Sequence, residues 1–350
     1  MRKCIQKLVE GQNLSDSESR KALEKIMAGK TTNAQIAAFL TALRIKGETV
    51  SEIVALSSTM QHFCQQITPK VNGRLVDTCG TGGDRVKTFN ISTTAAFVIA
   101  GAGISVAKHG NRSFTSKSGS ADVLEKLGFN LNITPKMVER TIENVGIGFM
   151  YAPAFHHAMK HVIEARRDIG IRTVFNILGP LSNPANADSQ LVGVFSNELV
   201  NPLAQALRKL GCAEAMVVHG LDGLDEVSTI GKTAIAWLKE GDVQTVELTP
   251  TALNLTQARS KDIAGSTPEK NAETSFNILK GHYNDHKTNI VLANAAAGII
   301  IGGKADTFHE AMERAREAIQ SGEAYKKLQL LIKTSNGDLT KLEKLESKYG

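Results

Sequence analysis

The sequence predicts an α/β fold in which a small helical domain precedes a larger α/β domain with a mainly parallel central sheet. Helical periodicity with capping signals runs through the first seventy residues. After Arg74 a strand, a glycine loop, a helix and a second strand follow in the order of a βαβ unit, and similar segments alternate beyond them.

Two helix starts are marked in the N-terminal segment by a threonine followed three positions later by Gln or Glu. These capping-box pairs are Thr32 with Gln35 and Thr49 with Glu52. We expect the first helix to end at Gly47 and the second to run to about Ile67.

The break at Pro69 and Gly73 predicts the domain boundary. We expect a helical domain at 1–70, to which part of 153–190 could also belong, and an α/β domain at 71–350.

The predicted sheet consists of short apolar runs separated by helical segments. The expected strands are Leu75-Val76, Ile104 to Ala107, Ile147 to Met150, Leu191 to Phe195, Met216 to Val218 and Val243 to Glu247. The expected helices between and after them are Thr93 to Ala102, Glu198 to Leu210, Val291 to Ile301 and Thr307 to Ile319.

Composition narrows the function to small anionic ligands. The 350 residues are 42% hydrophobic, which excludes disorder for most of the chain. With 41 basic and 35 acidic residues the net charge is +6, and aromatic residues are 5% of the chain. This favours some affinity for anions but no nucleic-acid partner. Four scattered cysteines, no secretory signal pattern and no apolar run of membrane-spanning length indicate a cytoplasmic protein.

The positive charge is concentrated in one window. Between Asp84 and Asp122 the sequence contains no other carboxylate. The basic residues of this window are Arg85, Lys87, Lys108, Arg112 and Lys117. Glycines and hydroxyl side chains accompany them, a combination that suits a phosphate ligand. The alternative interpretation is a solvated basic loop.

Two glycine loops and an acidic loop follow predicted strands. The first, Cys79 to Asp84, is neither a Walker A loop nor a GxGxxG fingerprint. The second, Lys108 to Asp122, also leaves a strand and enters a helix, so the pair predicts a ligand with two separated phosphates. The acidic run Leu221 to Glu226 predicts Mg²⁺ held by one or two carboxylates, although its acids alone are also compatible with a solvated turn.

These segments resemble the anthranilate phosphoribosyltransferase family, of the nucleoside phosphorylase and phosphoribosyltransferase fold type. The matching strings are Asp77 to Asp84, Thr88 to Thr93, Lys108 to Arg112, Lys117 to Gly128, Arg172 to Pro184 and Gly223 to Glu226. The sequence departs from the common family pattern at Phe114 and Thr115.

The resemblance implies a Mg²⁺-dependent homodimeric enzyme of tryptophan biosynthesis, with no membrane partner. Its substrates would be anthranilate and phosphoribosyl pyrophosphate (PRPP). The implied PRPP residues are Gly80, Thr81, Gly82, Gly83, Asp84, Thr88, Asn90, Ser92, Thr93, Lys108 and Ser120. The implied anthranilate residues are Gly80, His109, Asn111, Arg166, Gly179 and Pro180. Ser92, Asp225 and Glu226 would lie at the metal, and Lys108, Asp225 and Glu226 would carry catalysis.

The expected chemistry is stabilisation of a departing pyrophosphate. A strong base is unnecessary, because an aromatic amine becomes acidic once it has attacked, so we expect His109 to shape the site. We expect His156, His157 and His161 to be surface or packing residues. Two alternatives are a pyrimidine-nucleoside phosphorylase and a nucleic-acid-binding relative without catalysis. The pair Asp225-Glu226 and the concentrated charge favour the transferase.

Overall fold

The computed structural model of the chain describes residues 1–83, 86–113 and 118–349. Four helices come first: α1 Arg2–Val9, α2 Asp16–Met27, α3 Asn33–Lys46 and α4 Val50–His62. The seven described strands are β1 Leu75–Gly80, β2 Ser105–Gly110, β3 Ile147–Tyr151, β4 Ser189–Gly193, β5 Glu214–Gly220, β6 Thr233–Lys239 and β7 Asp242–Leu248.

Twelve further described helices lie between and after the strands. The first six of these are α5 Ile91–Gly101, α6 Ser120–Leu127, α7 Pro135–Val145, α8 Ala152–Phe155, α9 Lys160–Ile169 and α10 Phe175–Leu178. The others are α11 Val200–Lys209, α12 Pro268–Leu279, α13 His286–Ile301, α14 Phe308–Gln320, α15 Glu323–Thr334 and α16 Thr340–Tyr349.

Both predicted capping boxes are present, at the starts of α3 and α4. Helix α4 ends at His62, before the predicted end near Ile67. The backbone after His62 forms hydrogen bonds with distant segments. The amide of Gln65 donates to the Phe155 carbonyl at 2.8 Å, and the amide of Ile67 donates to the Pro184 carbonyl at 3.1 Å. Tertiary hydrogen bonds therefore replace the last helical turn.

A buried carboxylate joins the first helices. The side chains of Glu52 and Lys46 are 0% and 4% exposed and form an ion pair of 2.8 Å. Glu52 also accepts hydrogen bonds from the amides of Leu14 and Thr49, at 2.9 and 2.8 Å. Although burial alone raises it, these hydrogen bonds hold the pKa of Glu52 below its ordinary value.

The sheet has the order β3-β2-β1-β4-β5-β6-β7. The first five strands in that order pair in parallel, and β6 and β7 pair antiparallel. The prediction of a mainly parallel sheet is confirmed. The sequence analysis missed strand β6, which pairs antiparallel with β5 and is joined to β7 by a hairpin that turns at Glu240 and Gly241, with φ of 53° and 84°.

The two faces of the sheet support separate cores. Leu191 and Met216 belong to the core shared with α5, α13 and α15, whereas Val192 and Val217 belong to the core shared with α11 and the N-terminal helices. The small helical domain thus packs on one face of the sheet. Among the described residues, no helix has the length and apolar character that a membrane crossing requires.

The chain reverses its direction of sheet growth between β1 and β4. From β1 it adds β2 and β3 on one side, and then returns to place β4 on the other side. In open α/β sheets a ligand crevice forms at the carboxyl ends of the strands at such a switch point. Here those ends are Gly80 of β1 and Gly193 of β4, which pair in register.

Candidate active site

The acidic loop closes over the switch point between Gly80 and Gly193. A Cβ added to Gly80 would lie 2.9 Å from Oδ2 of Asp225. A Cβ added to Gly193 would lie 2.6 Å from the carbonyl carbon of Asp225, and nearer still to its oxygen. The absence of side chains at both strand ends therefore makes the space in which Asp225 lies.

Three further predicted residues meet beside Asp225. The amide of Ser92, in the first turn of α5, donates to Oε1 of Glu226 at 3.2 Å. The ammonium of Lys108, 4% exposed, lies 3.4 Å from Oγ of Ser92 and donates to the carbonyl of Thr78. The predicted catalytic and metal residues thus form one group, drawn from β1, α5, β2 and the acidic loop.

The donor set of this group suits Mg²⁺. No cluster of three or more His, Cys, Asp or Glu side chains arranged for a metal occurs in the part of the chain described here. Mg²⁺ is usually bound by one or two carboxylates together with waters and substrate phosphates. Asp225 and Glu226 with the hydroxyl of Ser92 supply oxygen ligands of this kind.

The first glycine loop is anchored at both ends. Thr81 donates its amide to the Gly193 carbonyl at 2.8 Å, and its hydroxyl accepts from the Phe195 amide at 3.1 Å. Gly82, exposed with φ of 68°, has open space around its α carbon. At Gly83 the carbonyl accepts from Arg172 at 2.7 Å. Asp84, the remaining loop residue predicted to bind PRPP, lies outside the described residues.

The second glycine loop is linked to the residues before α5. Asn90 donates to the carbonyl of Ser118 at 3.3 Å and accepts from its hydroxyl at 3.1 Å. Ser120 donates to the carbonyl of Asn111 at 3.2 Å. Asn90, Asn111 and Ser120 therefore lie around one loop. Phe114, Thr115 and Lys117 fall outside the described residues.

One positive charge of the basic window is already paired. Arg112 donates to Asp122 at 2.8 Å and to Glu125 at 2.8 and 2.9 Å. Hydrogen bonds from Arg112 to these two acids raise its pKa. The acid-free window in the sequence therefore overstated the local positive charge. Helix α6, which follows the window, places two carboxylates against Arg112.

His109 lies on the opposite side of β2 from Lys108, because consecutive strand residues alternate between faces. His109 and His156 are both 5% exposed, and their ring centroids are 5.0 Å apart. Burial is the main cause that lowers the pKa of His109 to about 3 and that of His156 to about 4. Both rings are therefore neutral at pH 7.

The tautomers of the two histidines follow from their hydrogen bonds. His109 bonds to the backbone of Gly179, and His156 to the backbone of Ser182. In each ring Nε2 is buried and has no hydrogen-bond partner among the described residues, so the bond is made by Nδ1. A protonated Nδ1 donating to a carbonyl leaves Nε2 as a buried acceptor.

The other residues predicted to bind anthranilate lie in several segments. Open space faces the α carbon of Gly179, while Pro180 is buried and its carbonyl accepts from Gln190 at 2.9 Å. Asn111 is exposed at the end of β2. The guanidinium of Arg166 lies 5.5 Å from the ring centroid of Phe175, and burial lowers its pKa.

Two more of the predicted PRPP residues lie before and within α5. Thr88 forms an isolated antiparallel bridge with Ala264, and Thr93 is 2% exposed within α5. His157 is exposed, as expected, and His156 is packed.

Sequence reasoning assigned no role to Gly193, which lies within the predicted strand Leu191 to Phe195. It also assigned none to Arg172, which begins the string Arg172 to Pro184 that resembles the family.

The two-domain fold and its site at the switch point define a glycosyl transferase. Residues 72–325 match the glycosyl transferase family, a/b domain, and residues 2–64 match the glycosyl transferase family, helical bundle domain.

Among curated relatives, anthranilate phosphoribosyltransferase of Alkaliphilus metalliredigens is 49% identical over 96% of this chain and 98% of its own length. The enzyme of Acetivibrio thermocellus is 48% identical over 96% of this chain and 97% of its own. The crystal structure of the Thermus thermophilus enzyme matches with a TM-score of 0.90 and 38% identity, over 95% of this chain and 99% of that one.

The Saccharomyces cerevisiae enzyme in complex with PRPP and Mg matches with a TM-score of 0.87 and 30% identity, over 95% of this chain and 96% of that one. This chain belongs to the anthranilate phosphoribosyltransferase family.

Proposed function

We propose that the chain transfers the phosphoribosyl group of PRPP to the amine of anthranilate, releasing pyrophosphate, as a step of tryptophan biosynthesis. One observation carries the assignment to this site: the contacts from Gly80 to Asp225, from Ser92 to Glu226 and from Ser92 to Lys108 meet at the switch point. The 1–70 segment with α9, which packs against α2 and α3, forms the helical side of the cleft.

PRPP occupies the α5 face of the site in this proposal. Loss of pyrophosphate leaves negative charge on the leaving group and builds positive character at ribose C1, so the protein must stabilise the departing anion. Lys108 provides a buried ammonium, and the backbone of Gly82 and Gly83 provides N–H groups. Asp84 and Ser120 would complete the two glycine loops.

Asp225, Glu226 and Ser92 would hold the Mg²⁺. When bound, the ion neutralises phosphate charge that would otherwise be repelled by the two carboxylates. Their role is to supply oxygen ligands in a loop whose position is set by Gly80 and Gly193.

Anthranilate occupies the opposite face, beside His109 and His156. His109 shapes this side of the site and is not the general base, since its pKa of about 3 makes it a weak base. Arg166 offers a charge-assisted contact to the anthranilate carboxylate, and Asn111 a directional one.

The fluorescence of anthranilate tests the function directly. Anthranilate should be consumed only when both PRPP and Mg²⁺ are present. The double variant Asp225→Asn, Glu226→Gln should abolish Mg²⁺-dependent turnover, whereas the amide change Glu125→Gln on α6 should not. Retained activity of the double variant at saturating PRPP would refute the metal role. Phosphorolysis of a pyrimidine nucleoside, without anthranilate consumption, would favour the phosphorylase alternative.

We also propose that the enzyme is a cytoplasmic homodimer. All four cysteines are free thiols, which suits a reducing compartment. Large apolar side chains are exposed on the helical domain, among them Val9, Ile45 and Ile163, at 71%, 82% and 44%. In this proposal these side chains contribute to the surface between the two copies. Sedimentation should give a dimer for the native chain and a monomer for Ile45→Glu; an unchanged mass would remove Ile45 from the interface.

A further inference from the structure

Asp77 is a buried carboxylate that the proposed reaction does not use, and it lies next to His109 on the anthranilate side of the site. Asp77 is 0% exposed, in the middle of β1. Its Oδ1 accepts from the amide of His109 at 3.1 Å, and its Oδ2 accepts from Nδ2 of Asn183 at 2.7 Å. The same side chain thus contacts β2 and the segment that follows Pro180.

Asn183 is equally constrained. It is 3% exposed; its Nδ2 also donates to the Ala107 carbonyl at 2.9 Å, and its Oδ1 accepts from the Ala185 amide at 2.8 Å. Its amide therefore has one orientation, with the nitrogen toward Asp77. The segment 179–183, which ends at Asn183, carries the backbone groups of Gly179 and Ser182 that bond His109 and His156.

We propose that Asp77 is a positioning residue for the acceptor substrate: by accepting from both the His109 amide and the Asn183 side chain, it keeps the two histidines and the 179–183 segment in one arrangement. This inference rests on the proposed function, because it assigns the side of the site beside those histidines to anthranilate. Asp77 acts through its neighbours and does not itself contact the substrate.

Only an ionised carboxylate meets both contacts with acceptor oxygens. Burial raises the pKa of Asp77 to about 6, against the opposing effects of the Lys108 charge and the hydrogen bond from Asn183. The group is therefore charged at neutral pH, and keeping that charge buried lowers the stability of the fold. A neutral residue would suit stability alone, which favours a role in the site.

The substitution Asp77→Asn tests the inference, because an amide has only one acceptor oxygen and places an NH₂ group against one of the two donors. We expect the KM for anthranilate to rise about tenfold, the effect of about 1.4 kcal/mol, with the KM for PRPP within about twofold.

The exchanged pair Asp77→Asn with Asn183→Asp should restore most of the anthranilate KM. In this double variant the new amide on β1 donates to the new carboxylate of the 179–183 segment and still accepts from the His109 amide. The bond to the Ala107 carbonyl is lost, and the new carboxylate then faces that carbonyl oxygen, which lowers the stability of the double variant.

Glu214→Gln is the matched control. Glu214 is also a buried strand carboxylate, 3% exposed, but it lies at the first position of β5, two strands from β1, and accepts a hydrogen bond from Nε1 of Trp237 at 2.9 Å. The Glu214→Gln variant should have a changed melting temperature, but its KM for anthranilate should not rise relative to its KM for PRPP.

A selective rise in the anthranilate KM, reversed in the exchanged pair, supports the inference. Equal changes in both KM values, or a folded exchanged pair without recovery, overturn it and leave the proposed function standing. If Asp77→Asn does not fold, the exchanged pair alone tests the inference: an anthranilate KM near the native value supports it, and a raised anthranilate KM overturns it. Absence of anthranilate turnover by the native chain overturns both the inference and the proposed function.

Discussion

Gly193→Ala should displace the acidic loop from the switch point. The added Cβ would lie 2.6 Å from the carbonyl carbon of Asp225, whereas ordinary van der Waals contact begins near 3.4 Å. Because Gly193 is held in register between β1 and β5, the more exposed loop has to move, by more than about 1 Å. A displacement of about 1 Å in a reacting group lowers turnover by about 100-fold.

The assay is anthranilate consumption over a series of Mg²⁺ concentrations. We expect kcat/KM for PRPP to fall about 100-fold and half-saturation to move to higher Mg²⁺. Gly80→Ala should have a smaller effect, since its Cβ would meet only the side-chain oxygen of Asp225, at 2.9 Å.

Gly101→Ala separates displacement of the loop from general loss of stability. Its Cβ would lie 2.8 Å from the backbone nitrogen of Ala324, between α5 and α15 and away from the site. This variant should unfold at lower temperature but keep the native Mg²⁺ dependence. Native turnover and Mg²⁺ dependence in folded Gly193→Ala would refute the reasoning.

The other predictions concern binding, stability and pH. Lys108→Ala should weaken PRPP binding far more than anthranilate binding in titration calorimetry; equal losses would contradict its assignment to the anion. Glu52→Gln breaks a buried ion pair and should lower the free energy of unfolding in urea by about 3 kcal/mol, whereas the exposed pair Arg20–Asp16 should contribute little when broken. The pKa of Asp77 rises from 3.8 to about 6 on folding, so its proton stabilises the folded state at low pH. This contribution, about 3 kcal/mol, should be lost as pH rises from about 4 to 6 and be absent in Asp77→Asn, as unfolding curves at several pH values would reveal. The same pH slope in both proteins would contradict it.

Local signals accounted for the elements that need only neighbouring residues. The capping boxes at Thr32 and Thr49 satisfy helix-start amides within four residues, so the helix starts can be recognised from short strings. The βαβ order likewise predicted a parallel sheet, and the glycine loops were located at strand ends. The end of α4 was not predictable, because the bond from Ile67 goes to Pro184, far along the chain.

The amino-acid order by itself therefore determined the fold class, the family and the segments that carry the candidate chemistry. The tertiary structure alone decided that Asp225 lies between Gly80 and Gly193, that Arg112 is paired with acids of α6, and that Asp77 bonds Asn183. Such pairings depend on strand order and on which face of a strand each side chain occupies. They are set by packing between segments that are distant in the chain, and no short pattern of residues encodes them.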